Sequence, residues 1–245
     1  MDMKKADIII QARQSSTRLP NKVLKKILNQ EVILRLYNRL LVCKHVDRVI
    51  VATSKDNSDD KLVRLLEKNN ITAFRGNLNN VLKRYTDCVN KFDIDKIIRV
   101  TADNPLVSPV IIDDIIELHN EFGYEFIDAF VAPSSPHGIG CQFLTKRCLE
   151  LNYKYAKTKE EKEHVTTWIR NNSQILSLKY IVDKDIRRTD IRLALDYYED
   201  LLLLEKIYDY FDGSNDMSIK DIIEFLNENP EIKKINCMHL DLMRR

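Results

Sequence analysis

The chain lacks most of the features that declare a function at sight. No apolar stretch approaches the roughly 18 residues that cross a bilayer, so no membrane-spanning helix is expected. No sign of charge dominates: 39 Lys and Arg stand against 37 Asp and Glu, a net charge of +2. Bulk charge therefore recommends neither nucleic acid nor a membrane surface as a partner. Cysteines are few, odd in number and scattered (Cys43, Cys88, Cys141, Cys148, Cys237), with no Cys-x-x-Cys pair. They read as reduced thiols, with Cys43 and Cys88 on the apolar faces of predicted helices. There is no G-x-x-x-x-G-K-[ST] loop, no G-x-G-x-x-G fingerprint, no H-E-x-x-H or close His/Cys cluster, and no G-x-S-x-G elbow. P-loop nucleotide binding, dinucleotide binding, zinc chemistry and a hydrolase elbow lose their usual markers. The N-terminus, MDMKKADIII, has two lysines and only three consecutive isoleucines before polar residues resume, which is no signal peptide. A cytoplasmic location is the expectation. With no low-complexity linker and no internal repeat, residues 1–245 are expected to form one domain.

What is present is an alternation of short β-branched runs with helical periodicity. Ile8–Ile10, Arg48–Thr53 and Lys96–Thr101 read as strands. Glu31–Lys44, Asp59–Lys68 behind a Ser58 cap, Asn80–Phe92 and Pro109–Glu121 read as helices. Further on, strands are expected near Ile139–Leu144, Ile175–Val182 and Ile191–Leu195. Helices are expected from Thr145, over Glu160–Asn171, and at Tyr197–Phe211 and Ser218–Asn227, the C-terminal ones packing on the rest. Strand–helix alternation of this kind predicts right-handed βαβ units and a mainly parallel sheet flanked by helices.

The richest segment is Ala6–Leu24, ADIIIQARQSSTRLPNKVL. An apolar strand breaks into a polar loop carrying Arg13, Arg18 and Lys22, with Gln14, Ser15, Ser16 and Thr17 between them. Backbone N–H groups and spaced cations of such a loop can converge on a polyphosphate. Two other strands end in aspartate: IIRVTAD delivers Asp103 and IRLALD delivers Asp196. Ligands of open α/β sheets bind outside the carboxyl ends of the strands, where all three segments would meet. Cations plus two carboxylates suit a magnesium–nucleoside triphosphate. An aspartate after a strand is equally the residue of a turn or cap, and Asp196 stands where it would cap the helix from Tyr197.

At this point the residues carry a resemblance. Gln11 to Leu24 resembles the signature of the cytidylyltransferases that act on acylneuraminate and 3-deoxy-manno-octulosonate, and is most similar to the spore-coat polysaccharide synthesis (SpsF) branch. In the same order follow Phe74-Arg75-Gly76 with Val81-Leu82 and Arg84-Tyr85, then Arg99 to Leu106, Pro136-His137-Gly138, Glu163 to Thr166, and Arg192 to Asp200. The resemblance implies a Rossmann-like nucleotide-diphosphosugar transferase fold and Mg²⁺-dependent transfer of CMP from CTP to a sugar acid or related small acceptor, with release of pyrophosphate, for a surface glycan. It implies that Arg13, Lys22 and Asp103 are catalytic. Gln11, Ala12, Arg13, Ser16, Arg18, Lys22 and Asp103 would contact the nucleotide, and Asp103 with Asp196 would hold the metal. Arg75 and Asn80 are nucleotide contacts on the same grounds, or else a turn residue and a helix cap. His137 and Gln142 are acceptor contacts, or else a loop histidine and a strand-edge amide. Glu163 and His164 are a buried pair bracing the fold, or else His164 has a substrate role. A homodimer is implied, with residues 133–182 as the place for its interface.

Several positions depart from the family pattern. Ser15, Asn21 and Ala102 stand where glycine is frequent, and Gly140 and Gln142 replace an aspartate and a glutamate. Lys162 stands before Glu163 in place of arginine. The lost carboxyl groups leave two further readings open: a nucleotidyltransferase using another base or a phosphorylated non-sugar acceptor, and a non-catalytic nucleotide-binding relative. Asp103→Asn and Asp196→Asn are expected to cut turnover by orders of magnitude and to leave the fold intact.

Overall fold

A strand that is apolar on both faces belongs in the middle of a sheet, and Ile8, Ile9 and Ile10 are fully buried. The computed structural model describes residues 5–14, 16–130, 135–172 and 174–244, so Ser15 and parts of the 133–182 segment lie outside the described residues. The triplet lies in β1 (Ala6–Gln11). A small hairpin of β2 (Lys26–Ile27) and β3 (Gln30–Glu31) follows, then α1 (Val32–Leu40), β4 (Val46–Ser54), α2 (Asp60–Lys68), β5 (Ala73–Gly76), α3 (Val81–Phe92) and β6 (Lys96–Thr101). Next come α4 (Pro109–Phe122), β7 (Phe126–Asp128), β8 (Gln142–Thr145), α5 (Lys146–Tyr155), α6 (Lys159–Glu163), α7 (Thr167–Arg170) and β9 (Ser177–Lys179). The chain ends with α8 (Tyr198–Tyr210), α9 (Ile219–Glu228), α10 (Pro230–Lys233) and a 3-10 segment, Lys234–Arg244.

The main sheet has seven strands in the order β5-β4-β1-β6-β8-β7-β9. Its pairings are parallel except those of β8 with β6 and β7, so β8 alone is reversed. Side chains alternate across the sheet. Ile8, Ile10, Ile98 and Val100 enter one core with α1, α4, α8 and α9, while Ile9, Ile50 and Ile97 enter the other with α3, α5 and α7. Each fully buried isoleucine contributes about 1.5–3 kcal/mol, and β1 lends one or two to each face. The fold class expected from the alternation is the one observed. Among the described residues no helix is long and apolar enough to cross a membrane. Cys43, Cys88, Cys141 and Cys148 are buried free thiols and Cys237 is an exposed one.

The differences from expectation are local. α1 stops at Leu40, and Leu41 and Val42 are exposed because no apolar surface faces them. Ser58 is no cap for α2: its N–H is held by the Asp56 side chain, and Asp59 stands at the helix entrance. The helix expected over 160–171 is split into α6 and α7 at Val165, whose φ of 57° is left-handed. Burial of the Val165 side chain holds that turn, which swings His164 outward. Ile191–Leu195 joins no sheet. Its N–H and C=O groups pair instead with His137 and with the Asp103 carbonyl. At Gly140 a Cβ would fall on the Ala129 carbonyl oxygen, so close packing excludes any side chain there, aspartate included.

Candidate active site

The polar loop after β1 is anchored before it can bind anything. The Ala12 N–H still donates to the Ala52 carbonyl at 3.2 Å, extending the sheet by one bond. The buried Asp59 carboxylate then accepts the Gln14 N–H at 2.8 Å and the Ser54 N–H at 3.0 Å, and the Ser54 hydroxyl as well. Gln14 therefore spends its backbone N–H on holding the loop, not on an anion. Asn21, at φ 57°, opens the 3-10 turn Lys22–Leu24. Asparagine tolerates that left-handed conformation. The turn sends Lys22 into the cleft, where its ammonium donates to Asp103 Oδ2 at 2.8 Å and to Asp196 Oδ1 at 2.9 Å.

Two aspartates 93 residues apart meet because the backbone joins them: the Leu195 N–H donates to the Asp103 carbonyl at 2.7 Å. Asp196 is not the cap of α8. That role falls to Asp200, fully buried, which accepts the N–H groups of Asp196 at 2.8 Å and Tyr197 at 2.9 Å. The Asp196 carboxylate is thereby free for side chains. It receives Lys22, Arg18 at 3.0 Å and Arg192 at 2.7 Å. Burial pushes its carboxyl up, but the three cations outweigh burial and hold it at about 2. Arg18 also lies over the Tyr197 ring, 5.1 Å from its centroid.

Gln11, Arg13, Ser16, Arg18, Lys22, Asp103 and Asp196 line one cleft of about 400 Å³ at the carboxyl edge of the parallel strands. Asp103 and Asp196 share one cation, so two carboxylates face one point of the cleft. Among the described residues no group of three or more acidic, His or Cys side chains could hold a metal unaided. Substrate phosphates would have to complete such a shell, as they commonly do for Mg²⁺.

The remaining expected residues sit elsewhere. Ala12 is buried in the sheet edge. Arg75 is a brace, donating to the Ser54 and Asp56 carbonyls and pairing with Asp60 at 2.7 Å. Asn80 caps α3 by accepting the Lys83 N–H at 2.8 Å. His137 accepts from Arg192 at 3.0 Å, and burial, with Arg192 beside it, lowers its pKa, so the ring is neutral at pH 7. Gln142 is wholly buried in β8, and its amide is spent on Arg99, Asp128 and Thr166. None of these five lines the cleft. Glu163 and His164 do line it, and Glu163 pairs with Arg13 at 3.4 Å, so the buried-brace reading of that pair falls.

The sequence pattern of the family described as cytidylyltransferase matches residues 8–227. The chain belongs to the cytidylyltransferase family. It is 36% identical over 231 residues to an uncharacterised protein of Methanocaldococcus jannaschii, covering 93% of each chain. It is 31% identical to the spore coat polysaccharide biosynthesis protein SpsF of Bacillus subtilis, over 91% of this chain and 94% of that one. A solved cytidylyltransferase from Leptospira borgpetersenii superposes with a TM-score of 0.86 at 31% identity, over 94% of this chain and 97% of that one. A CMP:2-keto-3-deoxy-manno-octonic acid synthetase complexed with CTP superposes at 0.68 with 17% identity, over 85% and 100%, a likeness of fold.

The chain is a cytidylyltransferase, and so a nucleotidyltransferase, and its cleft involves residues to which the sequence assigned no role of their own. Asp59 anchors the loop after β1. Arg99, on β6, forms part of the cleft floor and donates to Gln11 Oε1 at 3.1 Å. Asp200 had a visible signal in the Arg192–Asp200 segment. Asp59 had none, because its partners are backbone amides reached only in the folded chain.

Proposed function

We propose that this cytidylyltransferase moves CMP from CTP to a sugar acid or closely related small acceptor, releases pyrophosphate, and serves synthesis of a surface polysaccharide. The observation that carries the proposal is Lys22 bridging Asp103 and Asp196 within a cleft that also presents Arg13 and Arg18. Arg13, Arg18 and Lys22 bind the triphosphate. Asp103 and Asp196 would hold Mg²⁺, which supplies charge neutralisation at the α-phosphate. An acceptor oxygen attacks the α-phosphorus in line and pyrophosphate leaves. Such transfer depends on positioning and charge stabilisation more than on covalent help, and the loop anchored by Asp59 provides the positioning. The non-catalytic alternative drew on Gly140 and Gln142; Gly140 is required by its contact with the Ala129 carbonyl, and Gln142 is held by hydrogen bonds to Arg99, Asp128 and Thr166, so neither replacement removes a group from the charged cleft.

Pyrophosphate release, measured with CTP, UTP, GTP and ATP against nonulosonic acids, octulosonic acids and phosphorylated small molecules, tests the reading. Release with CTP and a sugar acid is expected; indifference to the base overturns it. The homodimer belongs to the same proposal. Tyr153, Tyr155, Leu176 and Ile181 are exposed within 133–182, and a second copy would cover them. Light scattering on the purified chain checks the mass.

A further inference from the structure

We propose that Arg99 binds an anionic group of the acceptor in the cavity beside the nucleotide cleft, and that Gln142 keeps the Arg99 charge free for it. The inference rests on the cytidylyl-transfer reading. The cavity, about 400 Å³, has Arg99, Phe130, Glu160, His164, Thr166 and Arg170 in its lining, and it shares Arg99 and His164 with the cleft. A group bound there stands next to the triphosphate site.

Arg99 is only 8% exposed, yet no carboxylate bonds it among the described residues. Its Nη1 donates to Gln142 Oε1 at 2.9 Å and its Nη2 to Gln11 Oε1, both neutral amides. Among the described residues its Nε–H finds no acceptor. The neighbouring Tyr85 hydroxyl gives its own proton to the Ile9 carbonyl at 3.2 Å. The Phe130 ring lies 5.3 Å from the guanidinium carbon. A buried cation without a counterion is costly, and a ligand that brings one recovers that cost.

Gln142 creates the situation. Thr166 Oγ1 donates to its carbonyl oxygen at 3.2 Å, which keeps that oxygen toward Arg99. Its amide donates to Asp128 Oδ1 at 3.0 Å. The side chain therefore stands between Arg99 and the carboxylate that would otherwise neutralise it. Asp128 is further committed to Arg170 at 2.7 Å and to the Phe130 N–H at 3.1 Å. Asp128 is thus spent on Arg170, and Glu160 at the exposed edge of the cavity has no bond to Arg99 among the described residues, so the Arg99 guanidinium faces the cavity with neutral partners only. An oxyanion, carboxylate or phosphate, is the matching group.

The test uses the full chain saturated with CTP and without Mg²⁺, titrated with sodium phosphate and with sodium acetate. Trp168, the single tryptophan, adjoins the cavity residue Thr167 and serves as the fluorescent reporter. Saturable binding of at least one anion is expected, and the tighter one tells phosphate from carboxylate. Gln142→Glu, which supplies a counterion, should weaken it roughly tenfold or more. Gln142→Met, neutral and of similar length, should stay within about threefold, and CTP affinity should hold within about twofold in both. Equal loss in the two variants marks a purely structural role and overturns the proposal, as does absence of saturable binding. If Gln142→Glu does not fold, the double variant Asp128→Asn/Gln142→Glu is compared with Asp128→Asn alone: weaker anion binding in the double variant supports the proposal and equal binding overturns it. If CTP itself fails to bind, the proposed function falls, and the same titrations without nucleotide still decide this inference.

Discussion

At the scale of single residues, Lys22 is the pivot, because its ammonium occupies the place between Asp103 and Asp196 that a divalent cation would take. Lys22→Met should therefore tighten Mn²⁺ binding several-fold in the absence of nucleotide while weakening CTP, as titration calorimetry or spin-resonance counting of free Mn²⁺ would show. Asp196→Asn should cut CTP turnover by roughly a hundredfold or more. The sequence alone suggested that this substitution leaves the fold intact. The structure adds a stability cost to that expectation, since Arg18, Lys22 and Arg192 converge on Asp196 and would lose their common partner. Its carboxyl is held at about 2 against an ordinary 3.8. A depressed acid stabilises the fold above its unfolded pKa and ceases to do so as pH falls through its folded one. The stabilisation, about 2 kcal/mol at pH 7, is lost between roughly pH 4 and pH 2. Urea unfolding of wild type and Asp196→Asn at pH 7 and pH 2.5 should show a gap at the first pH that narrows at the second. A constant gap removes the electrostatic account.

At the scale of elements, the site is made by chain segments that hold one another by buried carboxylates. Asp59 ties the anion loop to the end of β4, and Asp200 ties Arg192 to the start of α8. The C-terminal 3-10 segment completes the second anchor. The buried Asn236 amide donates to Asp200 Oδ1 at 2.8 Å and to the Arg192 carbonyl at 3.0 Å. Asn236→Ala leaves both acceptors short of a donor and should cost about 1–3 kcal/mol. The measurement is a shift of the urea midpoint at constant slope, accompanied by weaker CTP binding through a looser Asp196. These relations also mark what the sequence could and could not disclose. Arg13, Arg18, Lys22, Asp103 and Asp196 were legible because they follow apolar strands, and strand ends define the ligand edge. Arg75 and Asn80 were misleading because a residue that braces a turn or caps a helix looks the same in sequence as one that touches a ligand. β5 and β7, of four and three residues, are too short to show alternation. The break at Val165 was hidden because a valine with positive φ contradicts its own propensity and persists only through tertiary burial.

At the scale of the whole molecule, the cleft and the core are mechanically one. The core that buries Ile8 and Ile10 of β1 continues through α1 and α4 to α8 and α9. The same strands and helices end at Gln11, Asp103 and Asp196. A ligand that bridges those ends stabilises elements that unfold together, so its binding free energy adds to the stability of the fold. At a hundred times its dissociation constant, a ligand of the native state contributes about 2.7 kcal/mol. For a chain of this length that raises Tm by roughly 5–10 °C. CTP with Mg²⁺ should give a shift of this size, and UTP, GTP and ATP at the same concentration smaller ones. Mg²⁺ without nucleotide should move Tm little, because Lys22 already neutralises the paired carboxylates. The order of the shifts is the decisive reading. Equal shifts for the four nucleotides would mean that the triphosphate alone is recognised, whereas a large shift from Mg²⁺ alone would mean that Asp103 and Asp196 release Lys22 before any nucleotide arrives.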